Sequence, residues 1–528
     1  MFLRLVQYCI VFGILSACSS ENDSSSSSAT DSSSSGSSTD LPLDDIPTVK
    51  IDSVLPVYSN LDLNLNAAIG NIKSNQFSYE WKQTGKIAPQ ASFKSGKNET
   101  SATITLPNSI HEINLSFALD VIHNNKVVTS EEVSFALLPN PKISDLGRMK
   151  GIGLQQCLDG YLRSEGWVYM SEVITLDCGF RALDTLVGIE QFLELRTFSD
   201  DFGDPLTDHD LYILSQLPSL EFLGIRDREV NNLALVSNFD SPFPNLKTLD
   251  LINTSLSDLK WVSLYPTLEA IMLDGNMITD FSPLTNLTSL EEVWLGGHSR
   301  TEQLDFADYG VLESLKNLTK LTLYYTKNTD IQRISRLENI TDLALNGTDV
   351  TDISSLANLN TLESLQLYYV DSNFRSQELE TLNTVTKLEL YGSDIPLSDI
   401  SKMSLETLFL DTMKLDNIDD LKGMVGLKNL NVSTNNLTDI SALESLVGLT
   451  KLNLKYNQIE DISSLAKLSD LEELDLSDNE VEDISPLYSL QKLKTLDISG
   501  LNKITCYQIN ELMGQNPTLV IKDTTSCS

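Results

Sequence analysis

A chain of 528 residues with 74 acidic and 37 basic side chains carries a formal charge of −37. That charge repels phosphate and argues against nucleic acid as a partner, while it favours solubility and steers cationic partners. The four histidines, His111, His123, His209 and His298, are scattered. No H-E-x-x-H, nucleophile elbow, phosphate loop or dinucleotide fingerprint is present, so nothing points to an enzyme, a cofactor or a metal centre.

Residues 1–17 have one arginine and a short apolar run, too short to span a bilayer, and read as an export signal. Cys9 lies inside it. Leu15-Ser16-Ala17-Cys18 resembles the lipobox of bacterial lipoproteins, which implies a lipid on Cys18. Ser19 in the following position implies export to the outer membrane, so the expected localisation is lipid-anchored there, at the cell surface. Residues 18–46 form a serine-rich tether with scattered acids and nothing to bury. As a flexible coil it would average about 30 Å end to end.

Residues 47–139 alternate apolar and polar side chains. Strands are predicted at 61–67, 77–83, 100–106, 115–122 and 131–138, which suggests a small β-sandwich. The phrase Tyr79-Glu80-Trp81-Lys82-Gln83-Thr84-Gly85, followed by TSATITLP and LSFALDVI, resembles the PKD-type immunoglobulin-like domain. The resemblance implies that Trp81 is the buried core tryptophan and that the domain is a spacer. The acidic loops common in that family are replaced by AIGNIKSNQ and HNNK, so its metal binding does not carry over.

Residues 140–191 and 501–528 flank a repetitive stretch, 192–500, and read as its N-terminal and C-terminal caps. Cys157 and Cys178 precede the first good repeat, and Cys506 and Cys527 follow the last. In an exported chain these pairs read as end-cap disulfides. A metal site is the rival reading, but neither pair has the close spacing or a nearby histidine. Asp200, Asp201, Asp204, Asp208 and Asp210 crowd one insertion whose oxygen atoms could hold calcium. Without EF-hand spacing, a solvated loop is the favoured reading.

The repeats begin at Leu220, Leu246, Leu268, Leu290, Leu318, Ile340, Leu362, Val385, Leu405, Leu427, Leu449, Leu471 and Leu493, with a degenerate unit near Phe192. Most are 22 residues long; the units at Leu220 and Leu290 run to 26 and 28, which puts extra chain into loops. LTKLNLKYNQIEDISSLAKLSD shows the leucine, leucine, leucine, asparagine phrase of a leucine-rich repeat. One unit cannot bury its own leucines, so stacked units must share a core. The expected fold is a mostly β, α/β solenoid with a parallel concave sheet, preceded by the small sandwich. Asp280, Asp352, Asp439, Asp461 and Asp483 are placed to cap short helical turns. Asn276, Asn435, Asn457 and Asn479 are placed to satisfy backbone groups in the turn after the strand. Thr326, Thr348, Val370, Ser393 and Met413 replace that asparagine, so the central repeats should be less regular.

The third, fifth, seventh and eighth positions of each unit face away from the core. They include Trp294, Lys320, Tyr324, Tyr325, Tyr368, Tyr369, Lys387, Tyr391, Phe409, Lys451, Lys455 and Tyr456. Aromatics here have no evident core role, and tyrosine and tryptophan suit binding surfaces. Stacking between neighbouring strands is the bland alternative. The 22-residue units with their DIS-x-L phrase resemble the internalin-like subfamily of bacterial leucine-rich-repeat proteins. That resemblance implies surface protein recognition through the concave face, and the expected function is non-catalytic binding of a protein or peptide ligand, or a glycan, in adhesion. A periplasm-facing scaffold of an envelope complex is the alternative, and the oligomeric state stays open.

Overall fold

The computed structural model describes residues 47–522 apart from 55–56, 59–61, 71–76, 85–89, 107–112, 139, 141, 146–148, 180, 182, 231–241 and 307. Cys18, the tether and Cys527 lie outside the described residues. The chain divides into two compact units at 139/140.

The first unit has two four-stranded sheets. One orders Thr48–Ile51, Asp62–Gly70, Ser101–Thr105 and Ser92–Ser95; the other orders Val57–Tyr58, Lys126–Leu138, Ile113–His123 and Ser78–Gln83. All five predicted strands are present. Leu65 and Ile104 of one sheet share a core with Trp81, Leu115, Phe117 and Leu137 of the other, which makes the unit a sandwich. Trp81 is completely buried. The longest hairpin turns through Asn124 and Asn125, whose φ values of 49° and 62° suit a tight turn matching strand twist.

The second unit is built on a sixteen-stranded parallel sheet, ordered along the chain from Thr175–Asp177 to Val520–Lys522. Its inward leucines form one continuous core; Leu474 and Leu476, for example, are 3% and 0% exposed. The return path of most units is a short 3-10 turn, such as Ser463–Lys467, while Asp208–Ser215, Gly310–Ser314 and Ile331–Ile334 are α-helical. Asp280, Asp352, Asp439, Asp461 and Asp483 each accept the N–H two residues on, at 2.7–2.9 Å. Hydrogen bonds from the following serines hold the Asp280, Asp352 and Asp461 carboxyls below their ordinary range.

The asparagine ladder links adjacent repeats. Asn457 donates to Val432 O and Leu454 O, both at 3.0 Å, and accepts from Leu437 N at 3.0 Å. Asn276, Asn435 and Asn479 repeat the pattern. In the central repeats that lack the asparagine, the strands are longer. Lys320–Tyr324, Asp342–Asn346, Ser364–Tyr368, Lys387–Tyr391 and Thr407–Asp411 have five residues, while Asn429–Asn431, Lys451–Asn453, Glu473–Asp475 and Thr495–Asp497 have three. In the short strands, Asn431, Asn453, Asp475 and Asp497 accept the N–H two residues on and turn the chain out of the sheet. Thr322, Ala344, Gln366, Glu389 and Phe409 stand there in the central repeats and make no such turn, so the strand continues.

The N-terminal end departs from expectation in two respects. Thr197 pairs with Phe222, which makes Leu195 the first leucine of that unit; Phe192 closes the preceding 3-10 turn. Two acids of the insertion, Asp204 and Asp208, are exposed as a solvated loop would have them, but the other three are not. Asp200, Asp201 and Asp210 are at most 7% exposed. Arg228, at the asparagine position, donates to the Asp200 carboxylate, to Asp204 O and, at 3.0 Å, to Leu183 O. Asp210 accepts from Leu186 N at 2.9 Å and from the Thr207 hydroxyl at 2.6 Å, capping the helix Asp208–Ser215. A buried arginine and a helix end therefore use carboxylate oxygens of Asp200 and Asp210, two of the five acids considered for calcium. Among the described residues no three His, Cys, Asp or Glu side chains converge as a metal site would.

Cys157, on the helix Ile152–Ser164, is disulfide-bonded to Cys178 beside the first strand of the sheet. The bond ties the helix over the open end of the leucine core. Cys506 is also disulfide-bonded and begins the helix Cys506–Gln515 at the other end.

Candidate binding face

The alternation of buried and half-exposed residues along Lys320–Tyr324 and Ser364–Tyr368 places Tyr324 and Tyr368 on the outward face. Tyr325 and Tyr369 follow with left-handed backbone, φ 49° and 53°. Gly347 and Gly392 occupy the same position in the intervening repeats, also left-handed. A Cβ on Gly347 would lie 2.4 Å from the Tyr325 ring, and one on Gly392 would lie 2.6 Å from the Tyr369 ring. Each ring lies flat over the glycine of the next repeat, and a larger residue there would displace it.

The five tyrosines form one cluster. Ring centroids are 4.3 Å apart for Tyr324 and Tyr325, 5.4 Å for Tyr368 and Tyr391, and 5.2 Å for Tyr369 and Tyr391. Burial, a hydrogen bond with Tyr391 and the neighbouring tyrosines raise the Tyr369 hydroxyl pKa. Tyr368 differs from the expectation of a tyrosine with no structural role. Its hydroxyl donates to Glu389 Oε2 at 2.9 Å and accepts from Gln366 Nε2 at 2.9 Å. Glu389 is only 3% exposed and also takes Lys387 Nζ at 2.7 Å. Gln366 is in turn bonded to Asn346 at 2.7 Å. Burial and then the Glu389 charge raise the Tyr368 pKa, so this hydroxyl stays a donor. Tyr368 therefore holds a polar network across three strands as well as exposing part of its ring.

The basic residues of the face are matched by acids. Lys320 lies 4.0 Å from Glu292, Lys451 2.8 Å from Glu473 and Lys455 3.9 Å from Asp478. Lys387 also covers the Phe409 ring at 6.0 Å, and Lys455 covers that of Tyr456 at 4.7 Å. Trp294 donates to Glu292 at 2.7 Å. The footprint is not one patch: Trp294 and Phe409 share a row but stand five strands apart, about 24 Å. Phe409 and Lys451 line a trough of ≈ 320 Å³ with Asn431, Asn453 and Asp475, in the C-terminal repeats.

Sequence reasoning missed the contribution of the long repeat at Leu290. Its extra residues form a second strand pair, Leu304–Asp305 against Thr326–Lys327, and carry Arg300 across to the tyrosines. Arg300 lies 5.0 Å from the Tyr369 ring centroid and donates to Tyr369 O at 3.0 Å. The result is a cleft of ≈ 530 Å³ beside the cluster, lined by Arg300, Tyr369, Phe374 and several acids. The 28-residue unit length was the signal for it.

These elements define a leucine-rich-repeat protein with an aromatic outward face. The family of leucine-rich repeats in two copies matches residues 425–467 and 469–511. Those two segments are leucine-rich repeats. The chain is similar to an internalin, InlF, of Listeria monocytogenes, with 24% identity over 66% of this chain and 95% of that one, TM-score 0.37. It is also similar to internalin C2 of that organism, with 30% identity over 38% and 86%, TM-score 0.32. A leucine-rich-repeat protein of Leptospira interrogans shares 19% identity over 69% and 98%, TM-score 0.38. No curated protein sequence matches.

Proposed function

We propose that this is a non-catalytic envelope lipoprotein, held by lipid on Cys18 at the outer membrane, that binds a protein or peptide through the concave face of its repeats. The observation that carries this reading is the five-tyrosine cluster, half-exposed on the outward side of the sheet while the leucine core is complete without it. Rigid aromatic rings with polar tips supply contact area at low entropic cost. The N-terminal sandwich, read as PKD-like, serves as a spacer. Capture of a partner by the soluble 47–528 chain, compared with a Tyr324→Ala/Tyr391→Ala variant of unchanged thermal melt, tests the face. Full capture by the folded variant would move the site to the long-repeat loops. Cys18→Ser should release the chain from the membrane fraction, and retention with normal processing would count against the anchor. Protease access on intact cells separates surface display from a periplasm-facing scaffold.

A further inference from the structure

The outward lysines of the sheet are matched by acids, whereas three carboxylates in the adjoining cleft, which Arg300 also lines, form no ion pair within 4 Å among the described residues. Asp349, Asp371 and Asp394 occupy the tenth position of successive repeats, so their backbones are about 5 Å apart. All three line the ≈ 530 Å³ cleft. Asp349 accepts N–H groups from Asn328 at 2.7 Å and Thr329 at 3.1 Å, and Asp371 accepts Asn373 N at 2.8 Å. These are neutral donors, and no Lys or Arg pairs with any of the three among the described residues. Asp394 is exposed. A row of like charges repels itself until a cation arrives.

Two further observations give the guest its shape. Arg300 already places a guanidinium over the Tyr369 ring, 5.0 Å from its centroid, at the edge of this cleft. The chain itself thus demonstrates that a planar cation fits that face. Thr348, 6% exposed, also lines the cleft, and its hydroxyl has no hydrogen-bond partner among the described residues. A guest with several N–H donors would use that hydroxyl and the free carboxylate oxygens together. Arginine supplies five such donors in one plane, which an ammonium cannot.

We propose that this cleft receives an arginine side chain from a basic segment of a partner protein. The incoming guanidinium takes the Tyr369 face from Arg300 and bridges Asp371 and Asp394. This site shares Tyr369 with the concave-face reading but not the acids. A partner captured normally by an Asp371→Asn/Asp394→Asn variant would therefore leave that reading intact and overturn this one.

The direct test titrates the full chain with fluorescent acetyl-hexaarginine amide and reads anisotropy, with a hexaglutamate peptide as the reverse-charge control. Asp371→Asn/Asp394→Asn keeps the cap acceptor at 371 and should weaken binding about tenfold. Arg300→Ala vacates the aromatic face and should tighten binding about threefold. A charge-matched variant elsewhere on the surface, Glu460→Gln/Glu511→Gln, should change affinity by less than about twofold. No binding of the arginine peptide, equal loss in the charge-matched variant, full binding by the double asparagine variant, or no tightening by Arg300→Ala would each overturn the proposal.

Discussion

The repeats from Leu427 to Leu493 and those from Leu318 to Leu405 share one core but end their strands differently. The C-terminal set turns the chain out of the sheet at the fifth position, and Asn435, Asn457 and Asn479 tie its turns to their neighbours. The central set has neither device, and its strands run two residues further. Those two extra positions hold Tyr324, Tyr368 and Tyr391. In the central set, loss of the regular turn goes with a wider sheet and room for outward aromatics. The two sets therefore divide the work: one is stabilised by repetition, the other by lateral side-chain contacts.

The sharpest way to break this contrast is to delete the ladder in one set and its replacement in the other. Asn457→Ala removes donors to Val432 O and Leu454 O and an acceptor for Leu437 N, all buried. It should cost about 3 kcal/mol in denaturant unfolding, because the stranded groups lose their partners without regaining water. Thr348→Ala at the matching position, with no partner for its hydroxyl, should cost under about 1 kcal/mol. Equal costs would mean that the ladder is not what separates the two sets.

The N-terminal repeats extend the comparison to an unsatisfied group. Burial, and then the Asp250 charge, lift the Asp274 carboxyl from an ordinary 3.8 to about 7. One of its oxygens is buried without a hydrogen-bond partner. The folded chain retains a proton there that the unfolded chain has already released. The associated stability is full below the unfolded value and is lost as pH rises through the folded one. Asp274→Asn should flatten that slope and stabilise the chain by about 2 kcal/mol above neutral pH, with a smaller gain in acid. Thermal melts across pH would measure it, and a gain that does not change with pH would remove the titration from the explanation.

The central set should be where binding resides. Tyr324→Ala/Tyr391→Ala should reduce affinity for a captured partner by about tenfold, or about 1.4 kcal/mol, with the melt unchanged. Tyr368→Ala is a poor probe of the same idea, because it also removes a partner of the buried Glu389. Tyr368→Phe separates the two roles: it should lower stability by about 1 kcal/mol and leave the ring available for contact. The smallest effect belongs to the C-terminal set. Lys451→Met breaks an exposed pair with Glu473 at 2.8 Å and should shift stability by less than about 0.5 kcal/mol. A large effect on binding from Lys451→Met would place the ligand on the trough beside Phe409.

Several site features were legible because they repeat. Outward register at the seventh and eighth positions placed the tyrosines, and the alternation Tyr325, Gly347, Tyr369, Gly392 was already visible as a pattern that could have announced the flat rings. The pairing of Lys320, Lys387, Lys451 and Lys455 with acids was not visible, since each partner depends on which neighbouring strand a flexible side chain reaches. The buried placement of Asp200 was hidden for a related reason: its cation, Arg228, stands where every regular repeat would carry asparagine.

By itself the sequence determined the solenoid, its inward leucines, the capping aspartates and the asparagine ladder. Periodicity reports every residue whose environment is the same in each unit, and those environments are set by the backbone alone. Tertiary structure decided what happens once: Arg300 reaching Tyr369 across 69 residues, Tyr368 anchored to Glu389, and acids without an ion pair among the described residues gathered in one cleft. Such contacts depend on the path of one long loop and on side-chain rotamers between repeats. A period of 22 residues carries no record of either.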